Sequence, residues 1–330
     1  MKLLSIGIPT YNRKEELLRL LHSIEKDHYQ LLEEVFICDN CSDYDVQQAV
    51  RQSVSSDFFK LIRIIRNRVN IGGHGNIKNL FLHCRTKWLW MIGDDDVVEP
   101  GCINNIAEDI ETDPDCAQFR YSINTIIKGK RLQVYEDDYE MSSLQDFIDY
   151  YERKERHKGN LVFMSNNVIN VEALSPYIHY AYTYNVPVSQ IIPAIMGLDE
   201  GKVRINYRKK IVCNYIHPDV GTQWNVLRVL VAMTNMCQLP YKSLREKNMY
   251  RLMGVFNFMP VCDFTDWCFS HKSIINDTRQ ISYICRNLYK YGPKRNRISR
   301  FGYFFFIIQY KIGFPAYRIY RSVKRRLHLN

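Results

Sequence analysis

Short apolar runs alternate with amphipathic stretches over the first hundred residues. Residues 3–8 form an apolar run closed by Pro9, which predicts a buried strand. Leu17, Leu18, Leu21 and Ile24 follow at helical spacing, and Asn12 with Glu15 three residues later reads as a capping box at the start of that helix. Residues 34–38, 61–65 and 88–92 are further apolar runs, and residues 76–84 have helical spacing. Each run ends in a polar cluster, at 9–13, 39–43, 67–75 and 94–96. Strand–helix alternation of this kind predicts an α/β domain, a mostly parallel sheet with helices on both faces. Ligands in such sheets bind beyond the carboxyl ends of the strands, so the four clusters are expected along one rim.

Past residue 110 the pattern loosens. Residues 161–171 suggest a strand with an Asn-rich turn, and 188–196 a helix limited by Pro193. Residues 203–212 fit a strand pair or one long strand, while 225–237 and 243–258 fit helices. The reading divides the chain into an α/β region, 1–215, and a helical, basic C-terminal region, 216–330.

Composition sharpens this picture in two places. With 46% hydrophobic and 24% charged residues in 330, the chain has the makings of a folded core. The net charge of +10 is local: residues 278–330 hold thirteen Lys and Arg and no Asp or Glu, leaving −3 for everything before them. Ten cysteines without a secretory leader point to a reduced, cytoplasmic setting. The longest apolar run, 301–308, falls well short of the ~18 residues of a spanning helix. Cys38 and Cys41 form a CxxC with no second pair at zinc spacing, so they read as a strand end.

The candidate chemistry lies in Asp94, Asp95 and Asp96. Three adjacent carboxylates repel one another, and either water or a cation must offset that. An oxygen-only cluster suits Mg²⁺ or Mn²⁺, which complete their shells with water and phosphate oxygens; the plain alternative is a solvated acidic turn. The chain has no GxxxxGK[ST], and Gly72-Gly73-His74-Gly75 does not match GxGxxG, which disfavours P-loop and dinucleotide enzymes.

Four segments, IGIPTYNR (6–13), ICDNCSD (37–43), NIGGHGN (70–76) and WMIGDDDVVEPG (90–101), stand in an order and spacing that resemble glycosyltransferase family 2. The resemblance covers about the first 110 residues and implies the inverting A-type glycosyltransferase fold with a helical C-terminal extension. It implies that Pro9, Thr10 and Tyr11 border the base and ribose of a nucleotide-sugar donor, with Arg13 nearby. Asp39 would accept a hydrogen bond from the base, and Asn40 stands where many relatives have a second Asp. Gly72 and Asn76 would lie in the loop passing the donor. Asp94 would contact ribose or sugar, Asp95 would ligate the metal, and Asp96 would be a further ligand or its support. Within the family, GDDD and the overall style resemble bacterial O-antigen enzymes, the 3,6-dideoxyhexose transferases in particular.

In relatives an acidic pair some hundred residues beyond the Asp cluster supplies the general base. Here that count lands on Pro187-Val188-Ser189-Gln190, which has no carboxylate. Asp199 is the nearest candidate, His179 is another, and His217-Pro218-Asp219 could approach the metal or cap a loop. The tail interleaves cations with Tyr289, Tyr291, Tyr303, Phe304, Phe305, Phe306, Tyr310, Phe314, Tyr317 and Tyr320. That pattern suits an anionic membrane surface, at the inner face of the cytoplasmic membrane, and an acceptor saccharide linked to polyprenyl diphosphate. The alternative is a basic helix packed through its aromatics. Nucleic-acid binding would explain the tail but not the acidic rim, so no nucleic-acid partner is expected. An inactive scaffold is the other rival, raised by the missing acidic pair.

Overall fold

A computed structural model describes residues 3–127, 130–134, 136–154, 161–183, 188–216, 226–244, 246–256, 261–270, 278–287, 298–312, 316, 319–320 and 322–323. The chain divides into two compact units. The first comprises Met1–Phe147, Asn160–Gln223 and Tyr241–Ser243; the second comprises Ile148–Gly159, Trp224–Pro240 and Leu244–Asn330.

The first unit opens with β1 (Leu4–Thr10), α1 (Lys14–Glu25), β2 (Glu34–Asp39), α2 (Val46–Ser53), α3 (Ser56–Phe59), β3 (Ile62–Arg66), α4 (Gly73–His83) and β4 (Trp88–Met91), of which the periodicity predicts the four strands, α1 and α4. It continues through β5 (Asp96–Val98), α5 (Cys102–Thr112), β6 (Gln118–Ile127), β7 (Lys130–Val134), β8 (Tyr139–Met141), the first turn of α6 (Leu144–Arg153), β9 (Asn167–Asn170), α7 (Val171–Thr183), α8 (Ile192–Asp199) and β10 (Ile205–Ile216), the rest of α6 belonging to the second unit. The sheet runs β3-β2-β1-β4-β9-β6-β10-β5, with β7 beside β6 and β8 beside β10.

Alternation along β1 sends its side chains to two faces. Ile6 and Ile8, in register with Val35 and Ile37 of β2, pack with Leu17, Leu20, Leu21 and Ile24 of α1. Each such aliphatic side chain removed from water contributes roughly 1.5–3 kcal/mol. Gly7 points the other way: a Cβ there would lie 2.8 Å from Phe36 Cζ and 3.2 Å from Leu80 Cδ2 of α4. Helices therefore cover both faces of this half.

The four strands β3-β2-β1-β4 are parallel, and the chain order reverses between β1 and β4. That reversal is the switch point where α/β sheets bind ligands. Beyond β4 the sheet is mixed: β9 is antiparallel to both β4 and β6, while β6 and β10 pair in parallel. β10 is one long strand rather than a pair, and α8 has Pro193 in its first turn, where its missing N–H is not needed.

The described elements of the second unit beyond residue 224 are helical, α9 (Val226–Asn235), α10 (Glu246–Phe256), α11 (Val261–Ser270), α12 (Thr278–Asn287) and α13 (Arg300–Ile312), besides a short 3₁₀ turn. Its core holds Leu230, Met253, Phe264, Ile281, Ile284, Phe306 and Tyr310. Much of the aromatic tail is thus structural: Phe306 packs on Phe264 and Phe269, and Tyr303, Phe305 and Tyr320 lie against the same core. Tyr289, Tyr291, Phe314 and Tyr317 lie outside the described residues. Among the described residues no helix is long and apolar enough to cross a membrane.

Candidate active site

The loops after β1, β2 and β4 meet at the switch point. Asn12 adopts φ 54°, a left-handed conformation that Asn tolerates better than most residues. Its side chain does not cap α1: the N-cap is Arg13, without a side-chain cap bond. Instead the Asn12 amide donates to Asp43 Oδ2 and accepts from the Asp43 N–H, both at 2.7 Å. Ser42 Oγ accepts from the Asn12 N–H at 3.0 Å. The expected capping box is replaced by a latch between two loops, which frees the Arg13 side chain for the rim.

Asp39, fully buried at the end of β2, accepts from the Ser42 N–H at 2.9 Å and from Arg66 Nη1 at 2.8 Å. Arg66 was not legible as a site residue, because it stands one position past the apolar run that marked β3. Asn40 does not project into the rim. Its Oδ1 accepts from Asn67 Nδ2 and the Ile71 N–H, and its Nδ2 donates to Asn70 at 2.8 Å. Buried Asn76 donates to the carbonyl of Cys38 at 2.7 Å and accepts from Asn67 at 3.0 Å. Gly72, at φ 79°, precedes α4 in a conformation that suits glycine. These amides tie the loop before α4 to the end of β2 and shape the floor beside Asp39. Pro9 is half-buried beside buried Thr10, and Tyr11 is exposed at 42%.

The three aspartates differ sharply. Thr10 Oγ1 donates to Asp94 Oδ2 at 2.8 Å, and Arg13 Nη1 donates to Asp94 Oδ1 at 3.0 Å and to Asp95 Oδ2 at 2.9 Å. Arg19 reaches the Asp95 carbonyl at 3.0 Å. Burial pushes the Asp94 carboxyl up to about 6, with Arg13 pulling against it and Asp95 adding to it. Asp96 is pushed well above the carboxylate range by burial and then by Asp95, opposed by its hydrogen bond from Ser165. Asp96 Oδ1 has no hydrogen-bond partner among the described residues.

Two buried carboxyls driven upward beside a third, half-exposed one form an oxygen donor set short of positive charge. Oxygen donors of this kind suit a hard divalent cation, which Asp95 and Asp96 would hold with Asp94 adjoining. Ser165, whose hydroxyl meets Asp96, carried no mark in the sequence beyond its place in the Asn-rich turn before β9.

The structure does not bring Asp199 to this rim. Its Oδ2 accepts from the Lys242 N–H at 2.6 Å, and its Oδ1 accepts from the Ser243 N–H at 3.1 Å and Ser243 Oγ at 2.5 Å. Both oxygens cap a turn. Asp199 also precedes β10, which runs parallel to β6 and so starts at the end of the sheet away from the rim. His179 sits in α7, its ring 4.0 Å from that of Tyr180. Ser189 and Gln190 are buried, with Gln190 Nε2 donating to the Phe163 carbonyl at 3.2 Å. Pro187, His217, Pro218 and Asp219 lie outside the described residues.

A parallel switch point with a buried aspartate cluster defines the class, and the family follows: residues 5–177 match the model of Glycosyl transferase family 2, and the chain belongs to that family. Among curated proteins it is similar to abequosyltransferase RfbV of Salmonella typhimurium, 34% identical over 97 residues, 29% of each chain. It is also similar to an uncharacterized glycosyltransferase of Haemophilus influenzae, 33% identical over 112 residues, 34% of this chain and 36% of that one. These matches thus span about a third of the length of those relatives. The fold is shared with the solved structure of S. aureus TarS 1–349 in complex with UDP-GlcNAc, at TM-score 0.65 and 14% identity over 98% of this chain and 92% of that one. It is the A-type glycosyltransferase fold.

Proposed function

We propose that this protein transfers a sugar from a nucleoside-diphosphate donor to a hydroxyl of a saccharide acceptor, with metal assistance and inversion at the anomeric carbon. The observation that carries the reading is the switch point itself, where Thr10 and Arg13 hold Asp94 while Asp96 keeps one buried oxygen without a partner among the described residues. TarS, of the same fold, has been solved with UDP-GlcNAc, which supports a nucleotide-sugar donor here.

In this reading Pro9, Thr10, Tyr11 and Arg13 border the nucleotide, with exposed Tyr11 offering a ring face to the base. Asp39 accepts from the base as well as from its internal partners, and Gly72 and Asn76 set the path of the loop beside the donor. Asp94 orients Arg13 and faces the ribose or sugar. Asp95 and Asp96 would hold Mg²⁺ or Mn²⁺, which supplies charge stabilisation to the departing diphosphate. The acceptor oxygen forms its bond to the anomeric carbon as the bond to phosphate breaks. The electron pair leaves on the nucleoside diphosphate, and the hydroxyl proton is released.

The acceptor is proposed to be a polyprenyl-diphosphate-linked saccharide of surface polysaccharide; similarity to abequosyltransferase RfbV supports only the O-antigen setting. Consistent with that, α13 exposes Phe301, Phe304 and Ile312, with Arg300 and Lys311 exposed among them. Apolar side chains within a basic segment suit an anionic bilayer surface on the cytoplasmic side.

The reading is tested by thermal shift of the whole chain with UDP, CDP and GDP, each with and without Mn²⁺. One nucleotide should stabilise the fold by mass action, and Mn²⁺ should deepen the shift. No shift with any of them would overturn the donor reading. Sugar transfer assayed with the stabilising nucleotide's sugars then separates an enzyme from an inactive scaffold.

A further inference from the structure

The hydroxyl of Ser165 joins two groups distant in sequence. It accepts from the Gly93 N–H at 2.9 Å and donates to Oδ2 of Asp96. A hydroxyl carries one proton, so accepting from Gly93 directs that proton at the carboxylate. Asp96 is thereby satisfied on one side only: its Oδ1 is buried without a partner among the described residues. An unpaired buried carboxylate oxygen is costly, and a side chain free to turn would swing it toward another partner. The bond from Ser165 ties the carboxylate to one orientation.

Ser165 is itself held by a buried framework. Trp90 Nε1 donates to its carbonyl at 2.7 Å. Asn167 Nδ2 donates to the carbonyls of Phe163 and Met164, each at 2.9 Å, fixing the turn that carries Ser165. Asn167 Oδ1 in turn accepts from Gln118 Nε2 at 2.6 Å and Arg120 Nη1 at 3.0 Å, and Arg120 pairs with buried Glu136 at 3.2 Å. Gly93 belongs to the same device. A Cβ there would lie 2.9 Å from Asp95 Oδ1 and 3.3 Å from Asp96 Oδ2, so a side chain would displace the cluster.

We propose that Ser165 is a positioning residue for the cation site: it clamps Oδ2 of Asp96 at the Gly93 amide so that Oδ1 alone is presented to a divalent cation. The proposal rests on reading the rim as a nucleoside-diphosphate and cation site. Partners of this kind orient a ligand before the metal arrives, and their removal weakens binding without unmaking the fold.

The test is Mn²⁺ titration of the whole chain followed by electron paramagnetic resonance, for wild type, Ser165→Ala and Ser165→Thr, with thermal melts in the absence of metal. Ser165→Ala should bind Mn²⁺ about 10–100-fold more weakly while melting within a few degrees of wild type. Ser165→Thr keeps the hydroxyl and should retain affinity to within about threefold. Should the alanine chain not fold, Ser165→Cys replaces it, nearly isosteric but a weak donor, with a loss of the same direction. Mn²⁺ affinity unchanged in the alanine or cysteine variant overturns the role of Ser165 and leaves the site reading intact. Equal loss in the alanine and threonine variants also overturns it, because the hydroxyl would then be irrelevant. Wild type without saturable Mn²⁺ binding overturns the cation reading and this proposal with it.

Discussion

Thr10 Oγ1 donates to Asp94 Oδ2 at 2.8 Å, a bond that closes the switch point between β1 and β4 across 84 residues of sequence. With Arg13 on the other oxygen, the loop after β1 grips a carboxyl that the loop after β4 delivers. Both partners pull against the burial that raises this carboxyl, and the balance leaves it at about 6.

Thr10→Val keeps the shape of the side chain and removes the donor. The stranded Asp94 oxygen should cost about 1–3 kcal/mol of stability, and nucleotide affinity should fall with it. Urea unfolding and calorimetric titration with UDP measure the two effects. Unchanged stability would show that the bond contributes nothing to the fold.

Asp39→Ala removes the acceptor for the Ser42 amide and Arg66. A hydrogen bond to a charged group contributes about 1.5–3 kcal/mol, so nucleoside-diphosphate affinity should drop at least tenfold while turnover at saturation changes less. Affinity equal to wild type would take Asp39 out of the donor site.

Asp95→Ala should abolish transfer in a chain that still folds, since its side chain is only partly enclosed and its carbonyl bond to Arg19 survives. The same change removes a charge that raises both Asp94 and Asp96, so both carboxyls should move back toward their ordinary range. Wild-type turnover that remains sensitive to chelator would exclude Asp95 as a ligand.

Asp199→Ala separates a cap from a base. Loss of its bonds to Lys242 and Ser243 should cost about 1–2 kcal/mol of stability, as at other capping carboxylates. Turnover per folded molecule should stay within a few-fold of wild type. A loss of several orders of magnitude at undiminished stability would restore Asp199 as the base.

Truncating the tail does not test membrane contact cleanly, because Phe306 and Tyr310 belong to the core of the second unit. The double variant Phe301→Ser, Phe304→Ser touches only side chains exposed at 74% and 58%. It should leave the melting temperature unchanged and reduce sedimentation with vesicles containing phosphatidylglycerol. Wild-type chain that does not sediment at low salt would end the membrane proposal. Partial release at high salt is expected, because screening weakens charge contacts and not apolar ones.

How far the site could be read from the chain depended on range. Asp94, Asp95 and Asp96 were visible because repulsion among adjacent carboxylates is written into their spacing. Ser165 was not, since nothing local marks a serine whose partners stand 69 and 72 residues away. Asn12 and Glu15 matched a capping box in spacing, yet Asn12 found a better partner in Asp43 across the rim. Tail aromatics beside cations looked like surface, but Phe306 and Tyr310 supply the core that a small helical unit needs.

By itself the sequence determined the first four strands, the helices after the first and before the fourth, and the gathering of polar clusters at the strand ends. Those features follow from hydrophobic period and from short connections, which are local. The tertiary structure alone decided that β9 enters antiparallel between β4 and β6, that β10 is a single strand, and that Asp199 turns away from the rim. It also decided that Ser165 reaches Oδ2 of Asp96 and that Oδ1 has no partner among the described residues. Those outcomes depend on hydrogen bonds between residues tens of positions apart, whose geometry exists only once the sheet has brought them together.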